Sequence, residues 1–251
     1  TGFSGTLDEV QFYPAELTPD DIGRLYRASA PEYWWTLDED EGVSTFADRG
    51  GSATTLCASC PMAGRRGQLG QSVYFSGTTT LQANLPNQAS DTTARPQSYL
   101  LWFKSQVAKG TTGVIFDKQQ TATGYQRRLT LQVIGGDENN SDRLNLHVEE
   151  NGISNDWFVP IRPEVWYQVV VTSDGGMMRL YLNGQLAQAG VQNAFPNAGS
   201  LRIGANLALD NTRFFRGFLD ELRLYRAALT AEEILPMYEI ESAWVEERSR
   251  F

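Results

Sequence analysis

Histidine and cysteine are nearly absent from this chain, with one His and two Cys in 251 residues. A closed zinc site needs four ligands, and Cys57, Cys60 and His147 cannot supply them. Basic charge is also scarce, at 21 Lys and Arg against 30 Asp and Glu. That balance argues against nucleic acid or an anionic membrane as the main partner. No apolar run approaches the ~18 residues of a membrane span. Between residues 30 and 229 there is no helical periodicity, which leaves an all-β body.

What the chain has is aromatic side chains and turns. Six Trp, 10 Tyr and 12 Phe, within a hydrophobic fraction of 41%, suffice for a sizeable core. Short alternating or β-branched stretches at 33–39, 67–77, 99–104, 112–117, 128–134, 144–149, 166–173, 179–182 and 201–204 read as strands. Gly135-Gly136-Asp137, Asn151-Gly152, Asp174-Gly175-Gly176 and Asn183-Gly184 punctuate them. Asn183-Gly184 is a hairpin signal, because both residues accept the positive φ of a type I′ turn. The pattern predicts a two-sheet antiparallel sandwich. Around Cys57 and Cys60 the flanks Thr54-Thr55-Leu56 and Pro61-Met62-Ala63-Gly64 read as turn chemistry. A redox motif would need a βαβ context, so a small disulfide-closed loop in an oxidising compartment is expected.

The most informative stretch is Phe215-Arg216-Gly217-Phe218-Leu219-Asp220-Glu221-Leu222-Arg223-Leu224-Tyr225, a strand that leads into a helix. One face of simple alternation is apolar except for Asp220, which when buried needs a partner. Thr230 and Glu233 form a capping box for the helix. Phe3-Ser4-Gly5-Thr6-Leu7-Asp8-Glu9-Val10-Gln11-Phe12-Tyr13 repeats the strand without a gap, at an offset of 220 − 8 = 212 residues. The expected organisation is therefore the tail of a preceding repeat at 1–28, a complete module at 29–238 and the start of a following repeat at 239–251. Tyr26-Arg27-Ala28-Ser29-Ala30-Pro31 joins helix to strand with no Gly/Ser-rich spacer, so head-to-tail copies should form a stiff rod, with Tyr26 or Tyr238 wedged at each joint.

Six ordered segments carry a resemblance. These are Tyr33-Trp34-Trp35-Thr36-Leu37-Asp38-Glu39, Asp48-Arg49-Gly50-Gly51, Gly70-Gln71-Ser72-Val73-Tyr74-Phe75-Ser76-Gly77, residues 165–175, Leu180-Tyr181-Leu182-Asn183-Gly184 and residues 217–225. Together they resemble the laminin G-like jelly-roll modules of the concanavalin A-like lectin/glucanase superfamily, abundant in bacterial surface proteins. The resemblance implies an all-β jelly-roll sandwich with a short helix after the closing strand. It also implies a structural calcium ion near Asp48 and Asp220, with Gly51 and neighbouring carbonyls completing the shell and Asp8 equivalent in the preceding repeat. The alternative is that Asp220 accepts amides from the Gly50-Gly51 turn. Trp35, Trp102 and Trp166 match core positions of the family.

For a glycan ligand, the aromatic candidates are Trp157, between Asp156 and Phe158, and Tyr125. Catalysis has little to stand on, because Asp38-Glu39-Asp40-Glu41 is a consecutive run ending in Gly42 rather than an alternating acid pair on a strand. His147 has no nucleophile pattern beside it. The sequence thus reads as a non-enzymatic, extracellular or cell-surface repeat module with a structural or adhesive role. Its partners would be neighbouring copies of itself, glycans or surface proteins. The alternatives are a carbohydrate-binding module of a larger secreted enzyme and a glycosidase of the same fold.

Overall fold

The computed structural model describes residues 16–19, 31–51, 53–57, 59–85, 96–122, 125–191, 200–208 and 212–248. The expected tail strand and helix of 1–28 lie almost wholly outside these residues. Among the described residues fifteen strands run in chain order. They are β1 (Tyr33–Trp35), β2 (Thr54–Leu56), β3 (Met62–Arg66), β4 (Gln71–Ser76), β5 (Leu81–Asn84), β6 (Gln97–Ser105), β7 (Thr112–Ala122) and β8 (Tyr125–Ile134). There follow β9 (Arg143–Glu150), β10 (Ile153–Pro160), β11 (Trp166–Ser173), β12 (Met177–Leu182), β13 (Gln185–Val191), β14 (Leu201–Ile203) and β15 (Arg216–Tyr225). A helix, α1 (Ala231–Arg248), ends the described chain.

The strands form two antiparallel sheets. One has eight strands in the order β13-β12-β11-β6-β15-β4-β3, with β1 also paired to β15. The other has seven, in the order β10-β9-β8-β7-β14-β5-β2. Tyr99, Leu101, Phe103, Val169, Val171, Leu219 and Leu224 of the first face Phe116, Leu129, Leu131, Leu144 and Leu146 of the second. Tyr99 stacks on Phe116 across the gap, with ring centroids 5.3 Å apart.

Two expectations about the Cys57 loop resolve differently. Cys57 and Cys60 are joined as a disulfide. Their flanks, however, are strands β2 and β3 rather than turns, and these are the edge strands of opposite sheets. The disulfide loop therefore crosses from one sheet to the other and pins one open edge of the sandwich.

β15 corrects the simple alternation. Its register slips between Asp220 and Arg223, a bulge at which Glu221 takes φ 55°. The extra residue shifts parity, so Leu219, Leu222 and Leu224 all face the core. Phe218, Asp220, Arg223 and Tyr225 lie on the outer face, opposite Lys104, Trp102, Leu100 and Ser98. Asp220 thus never interrupts the apolar side. Gly217 has φ 145°, and a Cβ there would lie 2.3 Å from the Lys104 carbonyl, so only glycine fits.

The helix also differs from expectation. Glu233 Oε2 accepts the Thr230 amide at 2.8 Å, as half of the capping box. The helix then runs to Arg248 instead of ending near Tyr238. It covers part of the eight-stranded sheet, where Leu229, Ile234 and Met237 pack on Leu100, Val170, Tyr181 and Tyr225. Tyr238 stacks on Trp102 at 5.8 Å, so this ring is used inside the module rather than as a wedge between modules. Tyr26 is outside the described residues. Trp102 is likewise sandwiched between sheet and helix, whereas Trp35 lies in the core and Trp166 is only half-buried.

Candidate functional site

The residues expected to share a calcium ion are occupied separately. Asp48 is a turn organiser: Oδ1 accepts the amides of Trp34 at 2.8 Å and Gly50 at 3.1 Å, and Oδ2 accepts that of Ala53 at 3.2 Å. Gly51 donates its amide to the Asp48 carbonyl at 2.9 Å. Asp220 is fully buried, and its Oδ2 accepts the Leu69 amide at 2.9 Å. The amides at Asp220 come from the 67–70 turn and not from Gly50-Gly51. Gly67 is there because a Cβ would sit 2.2 Å from the Gln71 carbonyl and 2.6 Å from Asp220 Oδ2. Burial pushes the Asp220 carboxyl well above the usual aspartate range; the Leu69 amide opposes this, and the charges of Glu221 and Asp38 add to the rise.

Asp48 spends both oxygens on three amides and Asp220 Oδ2 is taken by Leu69, which leaves Asp220 Oδ1, buried without a hydrogen-bond partner, as the one oxygen of the pair open to a cation that wants several. Among the described residues no group of three or more His, Cys, Asp or Glu side chains could hold a metal ion. Asp8 is outside them. Chelation should therefore leave the melting temperature unchanged. Asp220→Ala should lower it, since the Leu69 amide then loses its acceptor at a cost of roughly 1–3 kcal/mol. A chelator-induced drop in Tm that Asp220→Ala abolishes would reinstate the ion.

Trp157 and its neighbours are separated by strand parity. They belong to β10, an edge strand that turn-like polarity had concealed. Trp157 pairs with Leu146 and faces inward, packing on the core. A Cβ added to Gly190 of β13 would lie 3.0 Å from the Trp157 ring, so the indole closes the second open edge between the two sheets. Its backbone neighbours Asp156 and Phe158 face outward, and the Phe158 ring is 40% exposed. Tyr125 starts β8, and its side chain lies outside the described residues.

Phe158 thus marks a polar patch on the outer face of the seven-stranded sheet. Asp156 pairs with His147 and Phe158 with Asn145 across the β10–β9 ladder. His147 Nδ1 and Asp156 Oδ1 are 3.1 Å apart, and Asn145 Nδ2 donates to the same oxygen at 3.0 Å. Gln132 Nε2 in turn donates to Asn145 Oδ1 at 2.6 Å. Glu149 lies 3.9 Å from His147 Nε2, and the Arg143 guanidinium lies 5.2 Å from the Phe158 centroid. The Asp156, Glu149 and His147 side chains are 39%, 33% and 24% exposed. A solvent-facing ring thus shares its face with two carboxylates and an imidazole, and the buried Asn145, held by the half-buried Gln132, fixes Asp156 among them. Trp157 was expected to be the exposed ring here; read as a strand, 153–160 turns it inward and its neighbour Phe158 outward.

Comparison with known proteins agrees with this architecture. A model of the family described as "Concanavalin A-like lectin/glucanases superfamily", the third laminin G type, matches residues 76–235, more than half of the chain. The chain belongs to this family. Among solved structures it is similar to the receptor binding domain of botulinum neurotoxin D, at 13% identity and a TM-score of 0.64 over 86% of this chain and 54% of that one. The botulinum neurotoxin serotype G binding domain gives 15% identity and 0.64, over 85% and 52%. Domain 4 of AbnA, a GH43 extracellular arabinanase from Geobacillus stearothermophilus, solved with arabinotriose, gives 20% identity and 0.56, over 83% and 98%. The chain spans about half the length of the neurotoxin domains it matches.

In this laminin G-like sandwich a buried aspartate and the acidic run 38–41 bear on the glycosidase alternative. On the outer face of the seven-stranded sheet Asp117 is fully buried and gripped twice by Arg128, at 3.0 and 2.7 Å. It further accepts from Thr130 Oγ1 at 2.8 Å and the Leu207 amide at 2.9 Å. A carboxylate so engaged has no free oxygen for acid or nucleophile chemistry. In the acidic run, Asp38 accepts the Gln71 amide at 2.6 Å and Glu39 the Ala47 amide at 2.8 Å, which makes it a tied surface loop. No helix among the described residues is long and apolar enough to cross a membrane.

Proposed function

We propose that this chain is a non-catalytic adhesion module of an extracellular protein, and that it binds a saccharide at the Phe158 patch. The observation that carries this reading is one exposed aromatic ring flanked on the same face by hydrogen-bonding groups already locked in position. The ring offers a stacking surface, and Asp156, Glu149 and His147 offer partners to hydroxyl groups at little further cost in side-chain order. Similar folds that carry an arabinotriose or an N-acetylneuraminic acid in their solved structures support it. The disulfide fits an oxidising compartment.

Screening the chain on a glycan array and titrating the best ligand tests the site. Asp156→Ala should weaken binding about tenfold or more, since a hydrogen bond to a charged group contributes roughly 1.5–3 kcal/mol. Phe158→Ala should weaken it as well, whereas Trp157→Phe should not. No glycan bound, or equal affinity in all three variants, rejects the site.

A second reading, that the module is one of a tandem series, is favoured by what β15 requires. Gly217, with its forced φ, recurs as Gly5, and buried Asp220 as Asp8. The bulge residue Glu221 recurs as Glu9, and the inward Leu219, Leu222 and Leu224 as Leu7, Val10 and Phe12. Such a series would make a stalk in which each repeat keeps its own α1 on its sheet. Small-angle scattering of a two-module protein should give one narrow inter-module distance; a broad distribution means a flexible string instead.

A further inference from the structure

The part of the eight-stranded sheet that α1 leaves uncovered carries an ordered row of side chains. Trp166 pairs with Lys104, Lys104 with Phe218, Phe218 with Tyr74, and Tyr74 with Met62. The row crosses β11, β6, β15, β4 and β3 on the outer face. Its three rings and Lys104 are half-buried, and Met62 is 40% exposed. Phe218 lies 4.9 Å from Tyr74 and 6.2 Å from Trp166, all tilted rather than stacked. Three strand spacings separate Trp166 from Tyr74, roughly 14 Å along a straight line.

The charge on this row has the opposite sign to that of the chain, which carries a formal −9. The Lys104 amine sits 4.4 Å from the Phe218 centroid and 5.2 Å from that of Trp166. Arg216, exposed, donates to the Tyr74 hydroxyl at 3.3 Å. Neither cation makes an ion pair among the described residues. At the Met62 end, Arg65 lies against Met62 Sδ at 3.6 Å and pairs with Glu41 at 3.2 Å. Two unneutralised cations set among aromatic faces form a surface for an occupant that is anionic, linear and apolar on one side.

We propose that this row is a second ligand site, distinct from the Phe158 patch, and that its occupant is a uronic-acid oligosaccharide. The C–H faces of the pyranose rings lie on Trp166, Phe218 and Tyr74. The carboxylates meet Lys104 and Arg216. An acidic peptide matches the charge, but Trp166, Lys104, Phe218 and Tyr74 stand on β11, β6, β15 and β4, whose backbones are paired on both sides, so no strand can be added beside them.

Calorimetric titration with oligogalacturonate, at low and at physiological salt, tests this on the whole chain. Binding is expected to weaken at least tenfold with the methyl-esterified oligosaccharide, and likewise in Lys104→Met and Arg216→Met. Trp166→Ala should abolish it and Trp166→Phe retain most of it. Phe158→Ala should leave it unchanged, so that failure of this site and of the Phe158 site are told apart. The two cation variants guard against misfolding of Trp166→Ala and are compared at equal melting temperature. No binding, equal binding of the ester, an unaltered affinity in both cation variants, or equal binding of poly-glutamate overturns the proposal.

Discussion

Glu241→Ala should lower the melting temperature by roughly 6–20 °C, from a loss of about 3–5 kcal/mol in a domain of this size. Glu241 is 6% exposed beneath α1. Its Oε1 meets Arg223 Nη1 at 2.5 Å; its Oε2 accepts from Trp102 Nε1 at 2.5 Å and Gln168 Nε2 at 3.1 Å. Arg223 is also held by Glu221 at 2.5 Å, and its guanidinium lies 4.7 Å from the Trp34 ring centroid. Removing Glu241 leaves that cation half compensated and two buried N–H donors without an acceptor. The double variant Arg223→Met/Glu241→Leu should recover most of the loss, because a well-packed apolar pair avoids the desolvation cost. A shift below about 2 °C for Glu241→Ala, read by calorimetry, would mean that the helix does not depend on this anchor. A protein ending at Tyr238 should melt like the alanine variant, which puts a working boundary of the module beyond 238.

Lys118 governs the response to alkali. It is fully buried on β7, in register with Leu129 and Leu201 between the sheets. Burial lowers its amine from 10.5 to about 7, with the Glu32 charge opposing. Between those values the folded chain holds fewer protons than the unfolded one, so unfolding takes up a proton and stability rises with pH. Below about pH 7 the cost of the buried charge is fully present. The shift of 10.5 − 7 = 3.5 units sets an upper limit of about 5 kcal/mol. Lys118→Met should therefore be more stable than the wild type below pH 7, with the gap closing toward pH 10. Above pH 10 both proteins should weaken together, because burial raises the Tyr225 hydroxyl to about 12 and that of Tyr99 further. Urea unfolding from pH 6 to 11 reads the difference directly. Parallel curves across the whole range would show that Lys118 does not titrate between the two states.

These two buried groups also show how far the sequence could be read. Strands with one buried face, such as β8 and β9, announce themselves through Leu129, Leu131 and Val133, and through Leu144, Leu146 and Val148. Edge strands do not. Ser154-Asn155-Asp156 is polar on both faces because β10 has a neighbour on one side only, and β13 is open in the same way. The hairpin at Asn183-Gly184 was legible while its second strand was not. Parity in β15 was hidden by a bulge that no residue type demands, since Glu221 is not a usual choice for positive φ. The Phe158 patch needed that edge strand, and the Lys104 row needed the register of five strands at once. Neither exists along the chain.

Among the described strands β15 comes last in the chain, yet it lies between β6 and β4 in the middle of its sheet. Tyr33 pairs with Leu224, which follows it by 224 − 33 = 191 residues. A chain emerging from its N-terminus therefore holds two facing, unpaired strand edges until residue 225 is free, and closure is slow at such separation. In a tandem series a rival would already be present, because the closing strand of the preceding repeat has apolar residues, Leu7, Val10 and Phe12, at the same inward positions. The rival differs outward, with Gln11 in place of Arg223. Inserted in the gap, it would bring Glu221's counterpart Glu9 and face Glu241 with no guanidinium to meet either. In such a series the ionic anchor beneath α1 would work as a test of strand identity, favouring the sheet closed by its own β15.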